Sequence, residues 1–305
     1  MELARITALA RRYHSEKARN HPGLSGLSVC RRTVTGDIEA SVYDPILCLI
    51  LQGGKMVAFA DQCTALKLGD VLLVSQDMPV LSRITHAEPK SPYLALILTL
   101  DLDVARDLFR LMAEHSMPAT SISSIRVGTA NASLCAALVR YLELLDSPLD
   151  AKVLGPTILR EVYYRLLCSP LGGALYELLA VNSRASRIAR AVQILRNQFR
   201  QRLRVADLAQ AAGMSPSSFH AHFKAVMGIT PIQYQKDLRL TEARGLLVKT
   251  QTSITEVAFA VGYESPNHFT RDYSRKFGVP PTREANANGT ITRMTRWPAL
   301  CTLAD

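Results

Sequence analysis

Two short stretches of this 305-residue chain set hydrogen-bonding side chains on one face at helical spacing. In the later stretch, Asn267, Arg271 and Ser274 share a face at about 100° per residue, with Thr270 and Arg275 at its flanks. A guanidinium offers paired donors that match guanine O6 and N7. A carboxamide matches adenine N6 and N7, and hydroxyls suit phosphate oxygens. In the earlier stretch the matching face has Ser217, Ala221 and Lys224, with His220 at the flank. Its chemistry is plainer: Ala221 can touch only a thymine methyl, and Lys224 suits a phosphate. Ser218 and His268 complete the candidate contact set. The opposite faces are apolar: Phe219, Phe223 and Val226 in one, Phe269, Tyr273 and Phe277 in the other.

These faces belong to a repeat. Leu208, Ala209 and Gly213 recur as Val257, Ala258 and Gly262 at an offset of 49. Phe219, Phe223, Gly228 and Pro231 recur as Phe269, Tyr273, Gly278 and Pro281 at an offset of 50. One supersecondary unit is therefore used twice. Each copy reads as helix, turn, helix. Val205, Leu208, Ala209 and Ala212 line the first helix of one copy, and Ile254, Val257, Ala258 and Val261 that of the other. Gly213 and Gly262 stand where a helix end needs a left-handed residue. Ser215-Pro216 and Ser265-Pro266 then supply a capping hydroxyl and a proline at the first helical position. Thr230-Pro231 opens a connecting helix to about residue 249. Ile188, Ala191, Val192, Leu195 and Phe199 predict a further helix ahead of the repeat.

Charge marks the same region. The net charge is +10, yet residues 1–183 hold 18 basic and 18 acidic side chains, whereas residues 184–305 hold 18 and 8. The whole excess lies with the repeat, the footprint of a domain that meets a polyanion. Two motif matches in register inside the basic region argue against solvated helix faces of no further use. They also argue against a membrane-surface role, since no large Lys/Arg amphipathic helix is present.

The neutral part has a different pattern. Residues 1–20 predict an amphipathic helix through Leu3, Ile6, Ala10 and Tyr13. Between about 40 and 100, strands are predicted at 46–51, 55–60, 64–68, 71–75, 80–85 and 93–100, broken at Gly53-Gly54, Asp61-Gln62, Gly69-Asp70, Asp77-Met78-Pro79 and Glu88-Pro89. Many short strands with regular turns suggest an antiparallel barrel or sandwich whose mouth could hold a small ligand. Helical spacing returns at Leu134, Ala137, Leu138, Tyr141 and Leu145, and again from Val153 to Leu166. Such stripes suit either a cap on the barrel or a dimer contact.

Other classes lack their residues. His86 is the only histidine between positions 22 and 114, and His220 and His222 do not share a helix face, so no metal site is expected. No G-x-S-x-G, Gly-rich phosphate loop or H-E-x-x-H appears. The six cysteines form no C-x-x-C pair, which leaves buried small hydrophobes or, for Cys48 and Cys63, a thiol sensor. The apolar runs 46–51 and 94–98 fall far short of the ~20 residues that span a bilayer, and no secretory signal is read at the N-terminus. A cytoplasmic, reduced chain without cofactor is expected.

From about Ser186 to Ala285 the chain resembles the C-terminal domain of AraC/XylS-type transcription regulators. The similarity is specific in Gly262-Tyr263-Glu264-Ser265-Pro266-Asn267-His268-Phe269-Thr270-Arg271 and in Phe277-Gly278-Val279-Pro280-Pro281. The runs Pro45 to Lys55 and Ser91 to Leu96 are similar to the effector domain of one branch of that family. The resemblance implies an α+β chain. Residues 1–180 would form a cupin-like antiparallel β-barrel with flanking helices, residues 184–285 an all-α double helix-turn-helix domain, and 286–305 a tail. It implies base approach by Ser217, His220 and Ala221 and by Asn267, Thr270 and Arg271. It also implies a non-enzymatic regulator, an activator or a repressor, with double-stranded DNA, RNA polymerase, a small-molecule effector and a second subunit as partners. The rival arrangement is the same DNA-binding domain fused to an enzyme-active barrel.

Overall fold

The computed structural model describes residues 1–15, 24–60, 62–112, 123–249 and 252–285. The chain opens with helix α1 (Glu2–Ser15), then strands β1 (Leu27–Arg32), β2 (Glu39–Tyr43), β3 (Ile46–Gln52), β4 (Gly54–Phe59), β5 (Gln62–Lys67), β6 (Asp70–Val74), β7 (Met78–His86) and β8 (Tyr93–Thr99). Helix α2 (Leu102–Leu111) and strand β9 (Ile125–Thr129) lead into α3 (Ala132–Glu143), α4 (Pro148–Leu167) and α5 (Gly173–Leu179). The rest is helical: α6 (Arg184–Gln198), α7 (Val205–Ala211), α8 (Pro216–Met227), α9 (Pro231–Lys249), α10 (Ile254–Ala260), α11 (Pro266–Phe277) and α12 (Pro281–Ala285). Positions 16–20 of the expected first helix and the tail 286–305 lie outside the described residues.

The strands form two antiparallel sheets, ordered β1-β8-β3-β6-β9 and β2-β7-β4-β5. The expected barrel is thus built as two sheets face to face. The six predicted strands are present within a few residues. Strand β7 starts at Met78, so Pro79 lies inside it, opposite Val42 of β2. Three strands were not expected. β1 and β9 are short and half-buried, and each pairs with a strand far along the chain, β8 and β6 respectively. β2 is likewise half-buried and pairs with β7.

Side-chain alternation explains the layering, because successive residues of a strand point to opposite faces. Leu47, Leu49, Leu73, Leu94, Leu96 and Leu98 cover the outer face of the five-stranded sheet and pack under α1, α3 and α4. Their neighbours Cys48, Ile50, Leu72 and Ala95 turn inward to meet Val57, Phe59, Leu66 and Val80 of the other sheet. Strands buried on both faces read as nearly continuous apolar runs, which is why 46–51 and 93–100 stood out. The stripe Leu134, Ala137, Leu138 and Tyr141 is buried here against the sheet. Helix α4 buries Leu159, Val162, Tyr163 and Leu166 but leaves Leu149 and Val153 at 69% and 61% exposure.

The sheet pair and the helical half share their cores. The cluster between the sheets continues into Ile188, Leu195, Phe219 and Phe223. The outer face of the four-stranded sheet, through Ile38, Met56, Ala58 and Leu81, continues into Leu240, Ala243, Val257, Phe269 and Phe277. Cys48 is buried and free, whereas Cys63, half-buried on the edge strand β5, is disulfide-bonded.

Candidate nucleic-acid interface

Helices α8 and α11, the second helices of the two repeat units, start the same way for the same reasons. Ser215 accepts a hydrogen bond from the Ser218 N–H at 3.4 Å, and Ser265 accepts one from the His268 N–H at 3.4 Å. Pro216 and Pro266 follow at the first turn, where no backbone donor is lost. The turns before them also match. Met214 N–H bonds the Ala209 carbonyl and Tyr263 N–H that of Ala258, both at 2.9 Å. Gly213 and Gly262 sit between at φ of 62° and 92°. This is the Schellman closure, which needs a left-handed residue at the glycine.

The inward faces are as expected. Phe219, Phe223, Phe269, Tyr273 and Phe277 are wholly buried. The rings of Phe223 and Tyr234 lie 5.7 Å apart edge-on, and those of Tyr263 and Phe269 5.4 Å apart. Helix α8 is thereby anchored on the connecting helix and α11 on its own turn, and rotation about either axis would unpack an aromatic.

The outward faces are available. On α8, Ser217, His220, Ala221 and Lys224 are exposed and Ser218 is half-buried. On α11, Asn267, His268, Arg271 and Arg275 are exposed, while Thr270 and Ser274 are half-buried. Arg275 lies 3.8 Å from Asp272, which also pairs with Lys236 at 3.0 Å. Among the described residues Arg271 and Lys224 have no ion-pair partner, so neither cation is committed to the protein.

Two basic side chains outside the sequence-derived set shape this surface. Arg239 on α9 donates to the Phe199 carbonyl at 2.7 Å and the Gln201 carbonyl at 2.9 Å. Burial lowers its pKa, with Tyr263 and Glu264 opposing that shift. Gln235 reaches the same two carbonyls at 2.9 and 2.8 Å. Across this junction a Cβ on Gly262 would stand 2.0 Å from the Arg200 carbonyl oxygen. The turn of the second unit is thus pressed against the segment between α6 and α7 that leads into the first. Arg202 and Arg239 also line an open hollow of about 300 Å³ with Ser265 and His268 at the start of α11. The helix start and the two arginines favour a phosphate there, and the Glu264 carboxylate, 3.9 Å from Arg202 in the same hollow, opposes one. Neither arginine falls within the repeat's matched positions, so only the tertiary contact reveals them.

Among the described residues no group of histidine, cysteine and carboxylate side chains could hold a metal ion. No helix there is long and apolar enough to cross a membrane.

Comparison with known proteins bears on both halves. Residues 23–174 match the family described as AraC-type transcriptional regulator N-terminus, and residues 208–286 match a helix-turn-helix domain family. The chain is 35% identical over 89 residues to the probable transcriptional regulator LumQ of Photobacterium leiognathi, covering 29% of this chain and 36% of that protein. It is 26% identical over 125 residues to the regulator ExsA of Pseudomonas aeruginosa, covering 41% and 45%. It is 28% identical over 144 residues to the activator RhaS of Klebsiella pneumoniae, covering 47% and 50%. These matches span a third to a half of the relatives' lengths. Apo ToxT from Vibrio cholerae shares the fold with a TM-score of 0.51 at 10% identity, covering 87% of this chain and 98% of that one. ToxT bound to (E)-4-(8-methylnaphthalen-1-yl)but-3-enoic acid gives 0.50 at 12% identity, covering 85% and 97%. With a regulator N-terminus matched ahead of a doubled helix-turn-helix, the chain belongs to the AraC/XylS-type transcription regulators.

Proposed function

We propose that this chain binds an asymmetric site on double-stranded DNA through α8 and α11 and regulates transcription from it. The observation behind this reading is the pair of exposed polar faces on α8 and α11, joined through α9. A reader of two successive major grooves about 34 Å apart needs two such faces. Asn267, Thr270 and Arg271 approach base edges in one groove; Ser217, His220 and Ala221 do so in the other. Ser218, Lys224, His268, Ser274 and Arg275, with Arg202 at the hollow, lie toward the backbone. One chain with two readers needs no palindrome.

The two-sheet half senses a small molecule and biases the bound arrangement. An acid bound to the related ToxT fold supports that direction. RNA polymerase and a second copy of the chain are further partners. The exposed outer side of α4, with Leu149 and Val153, is the face offered to the copy. Activation at the promoter, in the cytoplasm and without catalysis, completes the reading.

The test is selection of binding sites from random duplexes by the purified full chain. Enrichment of a bipartite asymmetric site with half-sites one helical turn apart is expected. Failure to enrich any duplex at low salt would remove the proposal.

A further inference from the structure

The inner faces of the two sheets leave a cavity of about 230 Å³ at the edge where β1 and β8 approach β2, β7 and β4. By liquid volume it has room for on the order of eight water molecules, or a ligand of about ten non-hydrogen atoms. Its wall includes Lys55, Ser82 and Tyr93, with Ile84 and Cys30 as apolar surface. Lys55 Nζ donates to Tyr43 Oη at 2.6 Å and stands 5.1 Å from that ring's centre. Tyr43 Oη in turn donates to Ser82 Oγ at 3.3 Å. Among the described residues Lys55 has no carboxylate partner. Tyr93 is 1% exposed and its hydroxyl makes no hydrogen bond there. Burial pushes the Tyr93 pKa up, so the phenol remains a donor. Burial alone would lower the Lys55 pKa, but Tyr43, Cys48 and Cys30 hold it above the usual value, so the ammonium persists.

The donors are in surplus. Lys55 has two N–H groups left, and Ser82 and Tyr93 one O–H each. A half-sheltered ammonium whose only partner is a phenol is incompletely compensated. What complements this wall is a group that only accepts and bears negative charge. Arg32, Asp37 and Glu39 stand on the same cavity wall, so its two cations and two carboxylates balance formally; the uncompensated donors favour one negative charge, and the two carboxylates disfavour a second. We infer that the cavity takes a small monocarboxylic acid, its carboxylate on Lys55 and Tyr93 and its apolar body against Ile84 and Cys30. This rests on the reading of the two-sheet half as a sensor.

The same wall faces the reading helices. Glu39, Lys55 and Ser82 line the cavity, while their chain neighbours Ile38, Met56 and Leu81 pack in the core of the second helix-turn-helix unit. Alternation along β2, β4 and β7 makes one sheet both the ligand's wall and the support of α11. A bound acid that shifts these strands is therefore expected to change DNA affinity about 5- to 150-fold.

The experiment titrates the full chain with pentanoate, hexanoate and benzoate, each against its amide, by calorimetry. DNA affinity is measured with and without each probe. At least one acid is expected to bind ten times tighter than its amide. Lys55→Met should abolish that preference, and Lys90→Met, at an exposed site, should leave it. The acid-to-amide ratio on the unmodified chain stands even if Lys55→Met fails to fold. Equal binding of acid and amide, or a preference retained in folded Lys55→Met, overturns the carboxylate assignment and leaves the sensor reading intact. Absence of binding by all three acids also overturns the assignment. If DNA affinity then responds to no probe of either series, that result counts against the sensor reading as well.

Discussion

The Arg244 guanidinium on α9 donates from Nη1 to the Ile38 carbonyl oxygen at 3.0 Å, across 206 positions of chain. Arg244 is only 4% exposed, and its guanidinium lies 5.0 Å from the ring centre of Phe277 at the end of α11. One side chain thus touches the sheet half and α11 together. Arg244→Met keeps much of the packing and removes the charge-assisted bond, a loss of about 1.5–3 kcal/mol. Urea unfolding of the full chain should show that loss, and no change in midpoint would contradict it.

Gly262 and Gly278 separate backbone strain from crowding. Both have positive φ, at 92° and 71°. A Cβ at Gly278 meets open space, whereas one at Gly262 meets the Arg200 carbonyl oxygen at 2.0 Å. Gly278→Ala should cost about 1 kcal/mol from the left-handed backbone alone. Gly262→Ala should cost clearly more, at least about 3 kcal/mol, because a backbone carbonyl must also move. Thermal melts of the two variants check the order.

For Arg271→Ala the expected loss of DNA affinity is about 1–3 kcal/mol, with relaxed preference at one base pair. The comparison is binding to the selected site and to its single-base variants. Uniform loss on every sequence would reassign Arg271 to the backbone.

Lys224 offers the contrasting case. Lys224→Ala should weaken binding nearly equally on all duplexes and flatten the log–log salt slope by about one unit. An unchanged slope would mean that Lys224 neutralises no phosphate.

The Cys48 thiol is pushed up to about 11 by burial, with Lys55 opposing that shift. At pH 8 only about one part in a thousand is thiolate, against roughly a quarter for an ordinary thiol. Alkylation of the native chain should therefore label the exposed Cys168 first and spare Cys48. Early modification of Cys48 would revive the thiol-sensor reading.

Much of this architecture was legible in the residues. The Gly213 and Gly262 turns, the Ser-Pro starts and the aromatic faces are local chemistry, set within one or two helical turns. Strands 46–52 and 93–99 were readable because burial on both sides leaves an unbroken apolar run. Strands β1, β2 and β9 were not, since their half-buried residues resemble any exposed segment until a partner strand is supplied. The candidate faces of α8 and α11 were likewise readable, but Arg202 and Arg239 were not: a cation's role depends on which carbonyls or hollows the fold brings to it.

The sequence by itself determined that a helix-turn-helix occurs twice, which face of each second helix is apolar, and that the chain's excess charge lies there. Tertiary structure alone decided what covers each face of the strands. Alternation assigns Lys55 and Met56 to opposite sides, yet nothing local says that one side bounds a cavity and the other supports α11. That assignment comes from contacts between residues some 200 positions apart, such as Arg244 and Ile38, and these form only when the whole chain packs.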